Sequence, residues 1–79
     1  MMRCFIWNGN LDNGAYHEDA SAVVFAESRE RAVQLVSDGG DREYGYRWSP
    51  AMQRTDPSEV FEVGEIPERI VLLTDGCDC

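Results

Sequence analysis

The chain has 79 residues with 15 aspartates and glutamates, seven arginines and no lysine, which gives a net charge of −8. A surface this acidic repels phosphates and excludes direct binding to nucleic acid, while it attracts basic protein surfaces. Hydrophobic residues make up 43 % of the chain, which is too many for a disordered protein and suits one small core, so residues 1–79 are predicted to form a single domain.

The first half of the sequence predicts two strands followed by one helix. Residues 3–7 and 21–26 are apolar and rich in β-formers, and the turn-rich residues 8–19 between them predict a long connection. The two strands are expected to pair as an antiparallel hairpin. A helix is predicted at 29–37, because Ser28 is a good N-cap and apolar residues recur behind it at helical spacing. This apolar stripe consists of Ala32, Val33, Leu35 and Val36.

The second half of the sequence predicts two further strands. The helix is expected to end within residues 37–40, where Gly39 suits a left-handed position after the last turn. Residues 43–48 fit either a short strand or an aromatic loop. Strands are predicted at 58–63 and 69–74, and the second of these is apolar enough to be central in the sheet. These two strands are expected to form a final hairpin.

Together these elements predict an α+β fold, in which an antiparallel sheet of three to five strands carries one amphipathic helix on one face. A single helix covers only part of a sheet face of this size. The other face is therefore expected to be polar, to be covered by the long loops or to be buried against a partner.

The acidic residues fall into groups that predict a partner-binding surface. One group follows the helix, another recurs every third residue near the last two strands, and aromatic residues lie between them. The candidate partner-binding residues are Asp38, Asp41, Glu43, Tyr44, Tyr46, Trp48, Asp56, Glu59, Glu62, Glu65 and Glu68. The functional interpretation is a negative surface that competes with nucleic acid for a basic groove, with the aromatics as its desolvated centre. The alternative is that the acids are ordinary solvated edges and turns and that the aromatics cap the core.

No catalytic constellation is present in the sequence. His17 is the only histidine, and neither a nucleophile nor an oxyanion donor set accompanies it. Cys4, Cys77 and Cys79 do not have the spacing of a zinc site, and Cys4 is predicted to be a small buried residue of the first strand. The glycines form no phosphate loop. We therefore predict no catalytic residue, no metal and no cofactor, and a protein that is not an enzyme.

A cytoplasmic location is expected from the same sequence. No stretch has the length of a membrane span, and the N-terminal apolar run ends at Asn8, too early for a signal peptide. An odd number of cysteines fits a reducing compartment better than a disulfide framework.

The order of strands and helix resembles that of small proteins from bacteriophages and integrated elements. The strand Cys4-Phe5-Ile6-Trp7 is followed by Ala22-Val23-Val24-Phe25-Ala26-Glu27-Ser28-Arg29-Glu30-Arg31-Ala32, which runs from strand into helix. In size, acidity and lack of motifs the chain is similar to anti-CRISPR proteins. This resemblance implies a stoichiometric inhibitor in the host cytoplasm that binds a CRISPR effector subunit and blocks target DNA. These proteins share no single motif, so no residue role is carried over.

Two other classes of function stay open. One is a small regulatory module that binds another basic protein, such as a nuclease or a transcription factor. The other is a minor structural or assembly protein whose acidity serves solubility. Acidic residues clustered on one face would favour a binding function, whereas scattered charge would favour the last class. The protein is expected to be a monomer or a weak dimer.

Overall fold

Four antiparallel strands form one sheet. The structure is a computed structural model that describes residues 2–11, 20–41 and 48–74. Strand β1 (Met2–Leu11) pairs with β2 (Ala20–Ala26), which confirms the predicted antiparallel pairing of the first two strands. Strand β3 (Glu59–Gly64) pairs with the outer edge of β1, and β4 (Arg69–Thr74) pairs with the outer edge of β2. The order across the sheet is β3-β1-β2-β4.

This order corrects two predictions about the last strands. The final strand is not central, because it lies at the edge beside β2. The last two strands do not form a hairpin, because β1 and β2 lie between them. The connection between them, which we call the crossing segment (residues 65–68), passes across the end of the sheet. Short-range patterning identifies each strand but carries no information about which strands are neighbours.

The first strand is longer than predicted and continues to Leu11. Its pairing with β2 is irregular between Trp7 and Leu11, and Gly9 has a positive φ of 65° within this irregularity. The Gly9 N–H donates a hydrogen bond to Ser21 Oγ at 2.8 Å, which holds the irregular segment against β2. The turn-forming residues after Trp7 therefore bend the strand without ending it.

Helix α1 (Arg29–Leu35) begins where the sequence predicts. The Ser28 side chain accepts a hydrogen bond from the Arg31 N–H at 3.1 Å, as expected of an N-cap. The predicted end is wrong, because the chain continues as a π-helical turn (Val36–Gly40) and Gly39 does not adopt positive φ. Gly40 is buried against Leu73 and Ile70, so a Cβ at this position would collide with Leu73 Cδ1. The second glycine serves close packing of the helix end on β4.

A second helix, α2 (Trp48–Arg54), lies in a stretch for which the sequence predicted no helix. Except for Trp48, the predicted short strand or aromatic loop at 43–48 lies outside the described residues. The Asp41 carboxylate caps its start, accepting hydrogen bonds from the Trp48 N–H at 2.7 Å and from Ser49 Oγ at 2.5 Å. Pro50 is tolerated in the first turn, where the missing N–H would have no helical partner. The fold is therefore α+β as predicted, with two helices on the sheet in place of one.

The far end of α2 is held by Arg29 from the first turn of α1. One guanidinium nitrogen donates to the carbonyls of Met52, Gln53 and Thr55 at 3.1, 3.1 and 2.9 Å. The other contacts the Asp56 carboxylate at 2.7 Å. A cation at this position satisfies carbonyls that a helix end leaves without partners. Both ends of this short helix are thus capped by side chains distant in sequence.

The core lies between the sheet and the two helices. Trp7 and Trp48 are its largest fully buried side chains, and their indole N–H groups donate to the carbonyls of Thr55 and Thr74 at 2.7 and 3.2 Å. The other core residues are Phe5, Leu11, Ala20, Ala22, Val24, Ala26, Ala32, Val33, Val36, Ala51 and Met52. Small residues on β2 allow the helices to approach the sheet closely. Neither helix in the described residues is long and apolar enough to cross a membrane.

Candidate functional site

Three exposed carboxylates follow the free edge of the sheet along β3 and just beyond it. We call Glu59, Glu62 and Glu65 the acidic edge. None of them forms an ion pair within the part of the chain that the structure describes. Glu59 pairs in register with Ile6 and Glu62 with Arg3, so the two side chains leave the strand on opposite faces. The carboxylates therefore border the edge from both sides and do not form a single row.

Three other predicted acidic residues have partners within the molecule. Asp41 caps α2, and Asp56 contacts the guanidinium of Arg29. Glu68 receives hydrogen bonds from Arg31, the shortest at 2.6 Å, and these bonds lower the pKa of the Glu68 carboxyl below its usual range. Such residues are less available to a partner, because binding through them would first break an existing contact.

The remaining predicted residues divide between surface, core and undescribed segments. Asp38 is exposed and accepts a hydrogen bond from Gln34 at 2.9 Å. Trp48 is only 1 % exposed, so it does not provide the surface contact predicted for it and instead belongs to the core. The alternative interpretation, in which the aromatics cap the core, therefore holds for Trp48. Glu43, Tyr44 and Tyr46 lie outside the described residues.

The sheet face opposite the helices carries apolar side chains on all four strands. Residues paired in an antiparallel sheet share a face, so the register identifies the side chains on this open sheet face. One row across the sheet consists of Phe61, Cys4, Phe25 and Arg69. The next row consists of Glu59, Ile6, Val23 and Leu72. Phe61 and Leu72 are 50 % and 48 % exposed, which is unusual for large apolar side chains on a small protein.

Cys4 lies in the middle of the open sheet face, between Phe25 and Phe61. It is 3 % exposed, which agrees with the predicted buried residue, although it lies on the side of the sheet away from the main core. Burial and the nearby Glu59 carboxylate raise the pKa of its thiol. A thiol held in its neutral form is a poor nucleophile, so this cysteine has the properties of a packing residue.

A groove that is lined in part by Ser49 lies between the two helices. No group of three or more potential metal ligands occurs among residues 2–11, 20–41 and 48–74. The groove has a volume of about 470 Å³, and Glu30, Gln34 and Ser49 contribute to its wall. The Ser49 hydroxyl donates a hydrogen bond to the Asp41 carboxylate, which also accepts one from the Ser49 N–H. This pair of residues therefore serves to cap the start of α2. His17, Cys77 and Cys79 lie outside the described residues.

The open sheet face includes three residues that the sequence did not single out, namely Phe61, Arg69 and Leu72. The signal was present in the strands, because residues 59–63 and 69–74 have apolar side chains in both alternating positions. A strand with one face in water would show polar residues in one of the two alternating sets of positions.

Comparison with protein-family models, with curated proteins and with solved structures gave no match for this chain.

Proposed function

We propose that this protein is a stoichiometric inhibitor that binds the basic, nucleic-acid-binding surface of a partner protein and blocks access of DNA. The observation that carries the proposal is the acidic edge, whose three carboxylates are exposed and unpaired within the described residues while the chain as a whole carries −8. Unpaired carboxylates attract lysine and arginine without the cost of breaking internal ion pairs. The resemblance to anti-CRISPR proteins makes a CRISPR effector subunit the first partner to test.

Apolar side chains next to the acidic edge support a protein partner. Val60 and Phe61, which lie between Glu59 and Glu62 on β3, are 46 % and 50 % exposed. Charge speeds encounter and selects a partner, whereas desolvated apolar contacts at the centre of an interface supply much of the affinity. With Trp48 in the core, Phe61 takes the role of aromatic anchor in this proposal.

The test measures binding of a fluorescent target DNA to a purified, guide-loaded CRISPR effector complex as the protein is added. DNA binding is expected to fall until a fixed ratio of protein to complex is reached, since an inhibitor without turnover acts only by occupancy. Rising salt should weaken the inhibition, because the attraction is between exposed charges. Inhibition at far below one protein per complex would contradict occupancy and indicate an enzyme. No effect on DNA binding would reject this partner.

A pair of charge reversals locates the binding surface. Glu62→Arg with Glu65→Arg should weaken inhibition by at least about tenfold, because like charges would then face each other. The control is Glu27→Arg with Glu30→Arg, which are exposed residues before and within the first turn of α1. Each substitution adds two charges, so both pairs raise the net charge from −8 to −4. Equal losses in both variants would show that total charge matters and that the acidic edge is not the site.

A second candidate is a small regulatory or structural module that binds through the open sheet face, with the acidity serving solubility. The half-exposed Phe61 and Leu72 favour it. A Leu72→Glu variant separates the two candidates, because it would weaken binding through the sheet face and leave binding through the acidic edge intact.

A further inference from the structure

The open sheet face carries two charged residues, and they stand at its opposite edges. Glu59 is on β3, in the row with Ile6, Val23 and Leu72. Arg69 is on β4, in the row with Phe25 and Cys4, and its guanidinium carbon lies 5.7 Å from the centre of the Phe25 ring. Every other residue of the two rows is apolar or, in the case of Cys4, a neutral thiol.

This pattern is self-complementary for one way of stacking two copies face to face. A twofold axis parallel to the strands places the β3 edge of one copy over the β4 edge of the other. Arg69 of each copy then lies over Phe61 of the other and Glu59 lies over Leu72, so Arg69 of one copy and Glu59 of the other are one row apart. An axis perpendicular to the strands would instead place Arg69 over Leu72 and Glu59 over Phe61. The charges therefore select the first axis, because only this axis brings Arg69 and Glu59 of different copies to neighbouring positions, and unpaired charges at an interface are costly.

We infer that the open sheet face is the interface of a symmetric homodimer, in which two sheets pack face to face about a twofold axis parallel to their strands. The interface is isologous, so the contact between Arg69 and the pair of Phe61 and Glu59 is made twice. Each guanidinium lies between Phe25 of its own chain and Phe61 of the second copy. This inference goes beyond the proposed function and does not depend on it.

The size of the face determines how strong such a dimer is. Four strands about 4.8 Å apart and six residues long span roughly 20 by 20 Å. This is smaller than the surface of about 800 Å² per partner that a standard interface buries. The dimer is therefore expected to be weak and reversible, so that it forms at high protein concentration and dissociates at low concentration.

Salt should strengthen this dimer. Two chains of −8 repel each other, and Glu62, Glu65 and Glu68 contribute charge outside the two rows of the face. Added salt screens this repulsion, because the Debye length falls to about 8 Å at physiological ionic strength. Added salt should thus strengthen self-association and weaken binding to a basic partner. Because the two effects are opposite, a failure of this inference can be told apart from a failure of the proposed function.

The experiment is sedimentation equilibrium of the full chain over a range of concentrations and at two salt concentrations. The wild type should shift from the mass of one chain toward that of two, and more so at the higher salt. Leu72→Glu should remain monomeric. The matched control is Val60→Glu, because Val60 is 46 % exposed on the other edge strand and pairs with the core residue Phe5 on the opposite face. This control adds the same charge and should dimerise almost as the wild type does.

Charge exchange tests the direction of the axis. Glu59→Arg and Arg69→Glu should each weaken the dimer about tenfold or more, and the double variant should restore most of the loss. A single-chain mass for the wild type at all concentrations up to about 1 mM would overturn the inference. Equal loss of dimerisation in Leu72→Glu and Val60→Glu would show that the open sheet face is not the interface. If the double variant did not regain dimerisation, the proposed direction of the twofold axis would be wrong. Far-ultraviolet circular dichroism of each variant distinguishes these outcomes from unfolding.

Discussion

At the scale of single residues, Asp41 shows that an acidic side chain near a predicted binding surface can have a structural role. Its carboxylate accepts hydrogen bonds from the N–H groups of Trp48 and Ser49 at 2.7 and 3.3 Å. Asp41→Ala is expected to lower the free energy of unfolding by about 1–2 kcal/mol, because the start of α2 loses its cap. The control is Asp38→Ala, which should change it by less than about 0.5 kcal/mol.

Urea unfolding followed by circular dichroism compares these two variants with the wild type. Equal effects of Asp41→Ala and Asp38→Ala would contradict the capping role. The result also bears on function, since charge reversal at Asp41 would weaken binding through misfolding alone. Variants that probe the surface should therefore leave this residue unchanged.

The two glycines at the end of the first helical segment make a second matched pair. Gly40→Ala should lower the free energy of unfolding by about 1–3 kcal/mol, because the added methyl group collides with Leu73. Gly39→Ala meets only Ile70 Cδ1, at 3.9 Å, and should be neutral or raise stability by up to about 1 kcal/mol, since alanine favours helical conformation. Thermal unfolding of both variants is the measurement, and a more stable Gly40→Ala protein would show that the contact with β4 is loose.

At the scale of elements, the crossing segment is nearly fully extended. In the register Gly64 lies beside Met2 and Arg69 beside Phe25, so the segment crosses three strand spacings, or roughly 14 Å. Five residue steps reach at most about 17 Å. Deleting Glu65 should therefore destabilise the sheet by several kcal/mol or prevent folding, whereas inserting one glycine after Glu65 should cost less than about 1 kcal/mol.

The same urea assay measures both length variants. A deletion variant as stable as the insertion variant would contradict the extended crossing. The comparison is informative because the two changes affect the same crossing segment and differ only in the length of chain available to span the sheet.

The elements also show what the sequence could and could not predict. Each strand and α1 follows from a local pattern, such as the cap at Ser28 or the apolar residues 21–26. The predicted bounds of these elements lie within a few residues of the observed bounds. Helix α2 depends on Asp41 and Arg29, which lie outside it in sequence, and its own seven residues are too short to signal a helix alone. Strand order likewise depends on contacts between distant segments.

The candidate site also contains residues that the local sequence could predict and residues whose role depends on tertiary contacts. Exposed acids such as Glu62 and Glu65 were identified from composition and spacing, because a charged side chain on an edge strand or in an exposed connection needs no tertiary partner to stay in water. The roles of Asp41, Asp56 and Glu68 depend on which arginine or N–H group folds against them. Trp48 was misassigned because an aromatic side chain serves equally well at an interface and in a core.

At the scale of the whole molecule, the two proposed surfaces meet on β3 and share two residues, because Phe61, the aromatic anchor beside the acidic edge, also lies on the open sheet face. Glu59 belongs both to the acidic edge and to the open sheet face. Dimerisation would engage Glu59 and leave Glu62, on the opposite face of the strand, available to a basic partner. Dimerisation therefore competes with a basic partner for Phe61 and Glu59, and the salt dependence of each association reports which contact is being measured.

The strand order also has a consequence for synthesis of the chain. The two central strands are complete by residue 26, yet each needs an outer neighbour that comes from residues 59–74. Until those residues leave the ribosome, the nascent hairpin presents two unpaired edges, which invite pairing with other chains. Both edges are then closed in quick succession as the last two strands emerge. The nascent chain is thus open to pairing with other chains from the exit of residue 26 until residues 59–74 have also left the ribosome.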